Sequence, residues 1–273
     1  MNRHSARLAG VIDWSSVIED GYRVPASVSH RDAVAELAML LRDPDPAVRD
    51  DLAYAVLARL IPSLDRGLCS ELGDVMAGRF EDPEIQVRAF APLILAPIVK
   101  RGEFSGHWLE AFESWYPAER DLRGWDETFG WLHAAAHGAD LLGAFGRCPQ
   151  VDPGAMLRLA VVRMLAPTQF LFADMEDARL AAALALTLSR EELSEQQSAA
   201  WLAPVVEIFK NGEPGHVPTQ ISNTVRVLQA LYVYADRGVR TAWDSDETLH
   251  PRHTEVVKRH VGATLALAAP RLA

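Results

Sequence analysis

Cysteine is nearly absent: only Cys69 and Cys148 occur, far apart in 273 residues. Two thiols cannot build a disulfide framework, and without a Cys-x-x-Cys pair neither a zinc ribbon nor thioredoxin chemistry is suggested. Such usage fits a reducing compartment. Lysine is equally scarce, at positions 100, 210 and 258. Lys and Arg total 27 against 37 Asp and Glu, a net charge of −10. Phosphate neutralisation needs clustered Lys and Arg, so this balance argues against a nucleic-acid partner. Long apolar runs are missing too. Phe90 to Val99 is interrupted by Pro92 and Pro97 and is about half a membrane span. Met156 to Phe172 is broken by Arg158 and Arg163, and Leu8 to Ile12 is too short for a signal-peptide core. The expectation is a soluble, cytoplasmic protein with no membrane partner. Chemical signatures are also lacking. There is no Gly-x-Ser-x-Gly elbow, and Gly138, Gly143 and Gly146 lie along an apolar helix rather than after a strand, so they form no phosphate loop.

What is present is helical periodicity. Hydrophobic residues make up 49% and charged residues 23%, ordinary values for a globular chain. His30–Leu41 puts Val34, Leu37, Ala38 and Leu41 on one face. Helices are expected next over Ala47–Ile61, Cys69–Phe80 and Ile85–Val99. The turns DPDPAVR (Asp43–Arg49) and EDPEIQVR (Glu81–Arg88) are alike, and their arginines recur after 39 residues. That spacing is near the roughly 40-residue period of HEAT-type helical pairs. Proline pre-sets the first turn, and acids favour the positive helix start. MEDARLAAALAL (Met175–Leu186) is a third echo. Further helices are expected over Gly130–Phe145, Asp152–Leu165, Ser194–Phe209 (with a Ser-x-x-Gln box), Gln220–Asp236 and Pro251–Ala269. No run alternates as a strand would. The pattern predicts one all-α domain over residues 1–273, a HEAT-like helical-hairpin array or irregular α-solenoid. HEAT-like repeats fill 30–100, an aromatic-rich loop and His/Asp helix 104–147, and the last helices 152–269.

The segment GWLHAAAHGADLL (Gly130–Leu142) is the unusual one. On a continuous helix, His133, His137 and Asp140 fall within about a 60° arc. Two histidines four apart are the spacing with which a helix presents imidazoles to a divalent metal such as zinc, and an Asp can join or orient them. Ala134 follows His133, so the His-Glu-x-x-His protease pattern is absent. The same three residues equally suit a buried polar network pinning neighbouring helices, or a surface face. Before them, Arg123 and Asp121 are candidates for catalysis, with Arg123 forking onto an anionic group or onto Asp121 or Asp140 of the protein itself. Glu176, Asp177 and Arg179 open a helix; one of the acids can face the His helix and complete a ligand set, or all can be dipole-favoured helix-start residues. Trp125 and Trp131 belong to an aromatic cluster, Phe104–Trp131, that suits either core or the wall of a ligand site. His250, His253 and His260 match no metal spacing and are read as surface.

Glu119 to Leu142 (ERDLRGWDETFGWLHAAAHGADLL) resembles the bacterial family catalogued as domain of unknown function 2785. The likeness rests on Asp121, Arg123 and Gly124, then Gly130, Trp131, His133, His137, Gly138, Ala139, Asp140, Leu141 and Leu142. Glu176, Asp177, Arg179 and Asn223 are similar more weakly. The resemblance implies a helical protein and supplies no activity, cofactor or catalytic residue. Two functions are carried forward. One is a binding or scaffold protein with a groove for a small molecule or a partner chain. The other is a metal-dependent or acid/base enzyme, hydrolase-like, using His133, His137 and Asp140.

Overall fold

The computed structural model describes residues 12–213, 215–242, 245–269 and 271. Of the Leu8–Ile12 run, residues 8–11 lie outside the described residues. The described chain is mostly helical. It opens with α1 (Trp14–Glu19), unmarked in the sequence reading, and α2 (His30–Leu40), capped by Ser29. After the first acid-proline turn come α3 (Pro46–Val48), a π-helical turn over Arg49–Tyr54, and α4 (Ala55–Leu60). The uniform helix expected over Ala47–Ile61 is therefore interrupted. The wide turn begins where Arg49, fully buried, directs its guanidinium into the protein.

Next come α5 (Arg66–Gly78), α6 (Ile85–Lys100) and α7 (Gly106–Trp115). Helix α6 runs through Pro92 and Pro97. Proline removes a ladder hydrogen bond, but α6 is buried on nearly every side, including Val87, Phe90, Ile94, Leu95 and Ile98, so packing holds it. A two-residue ladder of β1 (Trp125–Asp126) and β2 (Gly130–Trp131) pairs Trp125 with Trp131. Then follow α8 (Ala134–Arg147), α9 (Pro153–Leu165, capped by Asp152) and α10 (Glu176–Leu188). The expected Ser194–Phe209 helix divides into α11 (Glu195–Ala200) and α12 (Ala203–Lys210). The Ser194–Gln197 capping box forms, and Pro204 sits in the first turn of α12. The chain ends with α13 (Thr219–Arg237), a second short ladder of β3 (Val239–Arg240) and β4 (Thr248–Leu249), and α14 (Thr254–Ala268).

Helices α6, α8, α10, α13 and α14 lie side by side in that order, with α5 against α6 and α9 across α8, α10 and α13. One contiguous apolar core runs from Ile12 to Leu265. Small residues let α8 approach its neighbours closely. At Gly138 a Cβ would overlap the Tyr116 ring, whose hydroxyl donates to the Ala135 carbonyl at 2.8 Å. Among the described residues no helix is long and apolar enough to cross a membrane.

Candidate functional site

Three guanidinium groups, those of Arg49 and Arg163 buried and that of Arg88 partly so, hold the loop between α7 and α8. Arg49 donates to the carbonyl of Phe129 and, at 3.4 Å, to that of Trp131. Arg88 forks onto the Glu119 carboxylate at 2.6 and 3.2 Å. Arg163 donates to the carbonyls of Tyr116 and Glu119 at 3.0 and 2.7 Å. The far side of the loop is stitched by main-chain bonds, Leu132 N–H to the Gly124 carbonyl at 2.9 Å and His133 N–H to the Arg123 carbonyl at 3.0 Å. A flexible-looking charged segment thus becomes a fixed ledge.

These bonds change the fate of the expected triad. Residues 130–133 are not helical: β2 occupies Gly130–Trp131, and His133 stands ahead of α8 in the left-handed region with φ of 51°. His133 and His137 still neighbour each other, edge to face with ring centroids 5.7 Å apart, but the three side chains do not form one ligand set. His137 is buried, its Nδ1 2.8 Å from the Ala89 carbonyl oxygen and its ring edge-on to Phe90. Asp140 is held by the fork of Arg179, including an Nε–Oδ1 bond of 3.1 Å. The physical reason is competition: a carboxylate beside a guanidinium fork takes two charge-assisted bonds at once.

His133 finds other company. Its Nε2 lies 3.7 Å from Glu176 Oε1, and His133, Asp174 and Glu176 each offer a ligand atom, all within 4.8 Å of one another. The two acids come from the loop before α10 and from its first residue. Between them sits Met175, also left-handed with φ of 69°. Left-handed non-glycine residues carry strain of order 1–3 kcal/mol and gather at functional sites. Two of the three such residues among the described residues, His133 and Met175, are the helix-start positions of α8 and α10 at this cluster. Glu176 is buried, and its Oε2 accepts from the Asp174 N–H at 2.8 Å. Asp174 packs on Gly124, where a Cβ would overlap its carboxylate. Of the two helix-start acids named from sequence, Glu176 reaches the histidine, while Asp177 accepts from Arg226 at 3.1 Å. Asp174 was missed. Its signal is faint: an acid two residues before Glu176 in a loop whose path only the folded chain reveals.

The environment of each group follows from this packing. Burial, reinforced by the Arg179 charge, lowers the pKa of His133 to about 4, against the opposing pull of Asp174 and Asp140. Burial also holds His137 well below the ordinary histidine value, with Arg179, His133 and Arg49 adding to it and the Ala89 carbonyl opposing. Burial raises Glu176, the nearby Asp174 and Asp177 charges add to it, and backbone N–H donors oppose it. Both imidazoles are therefore neutral at pH 7.

Arg123 is engaged on the protein itself. It bonds Asp121 at 2.9 and 2.5 Å and Asp126 at 2.5 Å. The hydrogen bond to Asp121, then that to Asp126, raises the arginine pKa further. Burial pushes Asp121 up, but its bonds to Arg123 outweigh this and hold it below the usual carboxylate range. Trp108, Phe112, Trp115 and Tyr116 form core, whereas Trp125 and Trp131 are 55% and 41% exposed. The exposed indoles touch edge to face at 4.9 Å, and Trp131 stacks on His133 at 4.4 Å. A hollow of ≈ 540 Å³ beside Arg88, Trp115 and Glu119 and one of ≈ 660 Å³ between Val161 and Trp201 are not lined by Asp121, Arg123, Trp125, Trp131 or His133.

The sequence model of the family described as protein of unknown function (DUF2785) matches residues 76–233, more than half of the chain. The chain belongs to this family. The DUF2785 match runs from the end of α5 into α13 and so includes every residue of the His133 cluster. Searches of the curated proteins and of the solved structures return no match.

Proposed function

We propose that the chain is a single-domain, HEAT-like helical array that binds a planar small molecule against the Trp125–Trp131 pair. The observation that carries this reading is the pair itself: two indoles in mutual contact, more than a third exposed, on a ledge fixed by buried arginines. Indoles supply large rigid contact area with an electron-rich face. The neighbouring guanidinium groups of Arg49, Arg123 and Arg179 are already bonded within the protein, while Asp174 and Glu176 lie close by. The ligand is therefore neutral or cationic rather than anionic. The array reading is supported by equivalence of the repeated arginines. Arg49 Nη1 donates to the carbonyls of Asp43 and Pro44, and Arg88 Nη1 to those of Asp82 and Pro83, six and five residues upstream in each case. Arg31–Glu71, Arg42–Asp82 and Arg179–Asp140 join residues 40, 40 and 39 apart, as successive units of one period would. Both cysteines are buried and free, which suits the cytoplasm.

The test is thermal unfolding against a set of planar heteroaromatic compounds, neutral and cationic. The reading expects a compound that raises Tm, an effect lost in Trp125→Ala while the free protein's Tm is kept. A compound that stabilises wild type and Trp125→Ala equally would contradict it. A second reading, an acid/base or metal-dependent enzyme, is favoured by one observation: His133, neutral, beside the carboxyl of Glu176.

A further inference from the structure

We propose that His133, Asp174 and Glu176 form a site for one divalent transition metal ion, zinc first among them. The inference goes beyond the indole platform and does not depend on it. His133 Nε2 is enclosed, with no hydrogen-bond partner. A buried polar atom left unsatisfied costs about 1–3 kcal/mol, so an enclosed ring nitrogen without a partner calls for an occupant. Its nearest carboxylate oxygen, Glu176 Oε1, stands 3.7 Å away, beyond hydrogen-bond range. That gap matches two metal–ligand bonds of about 2.1 Å meeting at roughly 120°. Asp174 brings the third ligand atom within 4.8 Å of the others.

The surroundings orient the ligands as metal sites require. Glu176 is fixed through its other oxygen by the Asp174 N–H. His133 is clamped by the Trp131 ring and by its main-chain bond to Arg123. Such outer partners commonly govern affinity. Gly124 leaves room for Asp174 to reach the cluster. Charge also balances: two carboxylates and a neutral imidazole compensate a divalent ion, and the competing guanidinium of Arg179 is occupied by Asp140. One nitrogen and two oxygens suit zinc or manganese over a thiolate-seeking ion. Three protein ligands leave a fourth position open, on the partly exposed side of His133 and Asp174.

The experiment is isothermal titration of Zn²⁺ into the full chain, made without a histidine tag and stripped with chelator. The expected result is one ion per chain, bound at least tenfold more weakly by Glu176→Gln and by His133→Gln. His260→Gln, at an exposed histidine of α14, leaves binding unchanged. Co²⁺ added to the unsubstituted chain gives a readout independent of any variant's folding: bound at this site it shows visible absorption distinct from the aqueous ion. Absence of stoichiometric binding, a Co²⁺ spectrum identical to that of the free ion, or affinity unchanged in both Glu176→Gln and His133→Gln would overturn the proposal.

Discussion

Two groups of polar residues lie where the ledge meets α8 and α10, and they differ in how far their bonding capacity is filled. Around Arg123 and Arg179 the charges are consumed internally, by Asp121 and Asp126 in one case and by Asp140 in the other. Around His133 they are not: Nε2 has no partner, and a carboxylate waits 3.7 Å away. The first arrangement is what holds a loop against a helix. The second is poor for stability, sits at two strained helix starts, and has no structural purpose that the neighbouring bonds do not already serve. Motif residues therefore separate into holders and offerers by whether their bonding capacity is filled.

Substitutions should show the same division in free energy. The largest effect is expected at Arg49, which is fully buried and serves carbonyls at both the acid-proline turn and the ledge. Arg49→Met should cost about 3 kcal/mol in denaturant unfolding and reduce the Trp131 contribution to near-ultraviolet circular dichroism. Asp140→Asn comes next. It leaves Arg179 with half its partner, and with both groups partly exposed the cost should be about 2 kcal/mol rather than the full value for a buried pair. A loss below that at His133 and above it at Asp140 would sharpen the contrast; the reverse would break it.

Acidification is a third probe. His137 is neutral in the fold, and its surroundings are the Arg179, Arg49 and His133 groups and the Ala89 carbonyl. The unfolded chain takes up a proton near the ordinary value of 6.5; the folded chain resists it. Stability is therefore full above that value and falls as pH drops below it. Melts at pH 7.5 and 5.5 should differ by about 1.4 kcal/mol for each of the two neutral imidazoles, His137 and His133, and the difference should fall by about half in His137→Leu. The smallest effect is expected at His133→Asn. Asparagine tolerates left-handed backbone and removes an unsatisfied atom, so the change in unfolding free energy should stay within about 0.5 kcal/mol.

Much of this was legible in the sequence. Apolar spacing marks α2, α6, α9, α10 and α13 closely because each buries one stripe or a whole surface. The Ser194 box and the Asp152 cap are local chemistry and appear as read. Of Glu176 and Asp177, either of which could face the His helix on the sequence, Glu176 lies 3.7 Å from His133 Nε2. What stayed hidden depends on distant partners. Nothing near Gly130 announces that Leu132 and His133 bond to Gly124 and Arg123, which pulls the histidine out of the helix. Nothing near Asp140 announces Arg179, 39 residues on. The break between α11 and α12 and the π-turn at Arg49 are likewise set by packing rather than by periodicity. Arg49 and Arg88, the arginines of the two similar acid-proline turns, also position the ledge, so that likeness pointed at residues of the site before the site was visible.

The most direct measurement is the melting temperature of wild type and Glu176→Gln, each in chelator and in excess Zn²⁺. Ligand at 100 times Kd adds about 2.7 kcal/mol, which for a chain of this size is a rise of roughly 5 °C or more. The unspent cluster predicts that rise in wild type and at most about half of it in the variant, whose binding is at least tenfold weaker. Equal rises in both proteins, or no rise in wild type, would contradict it.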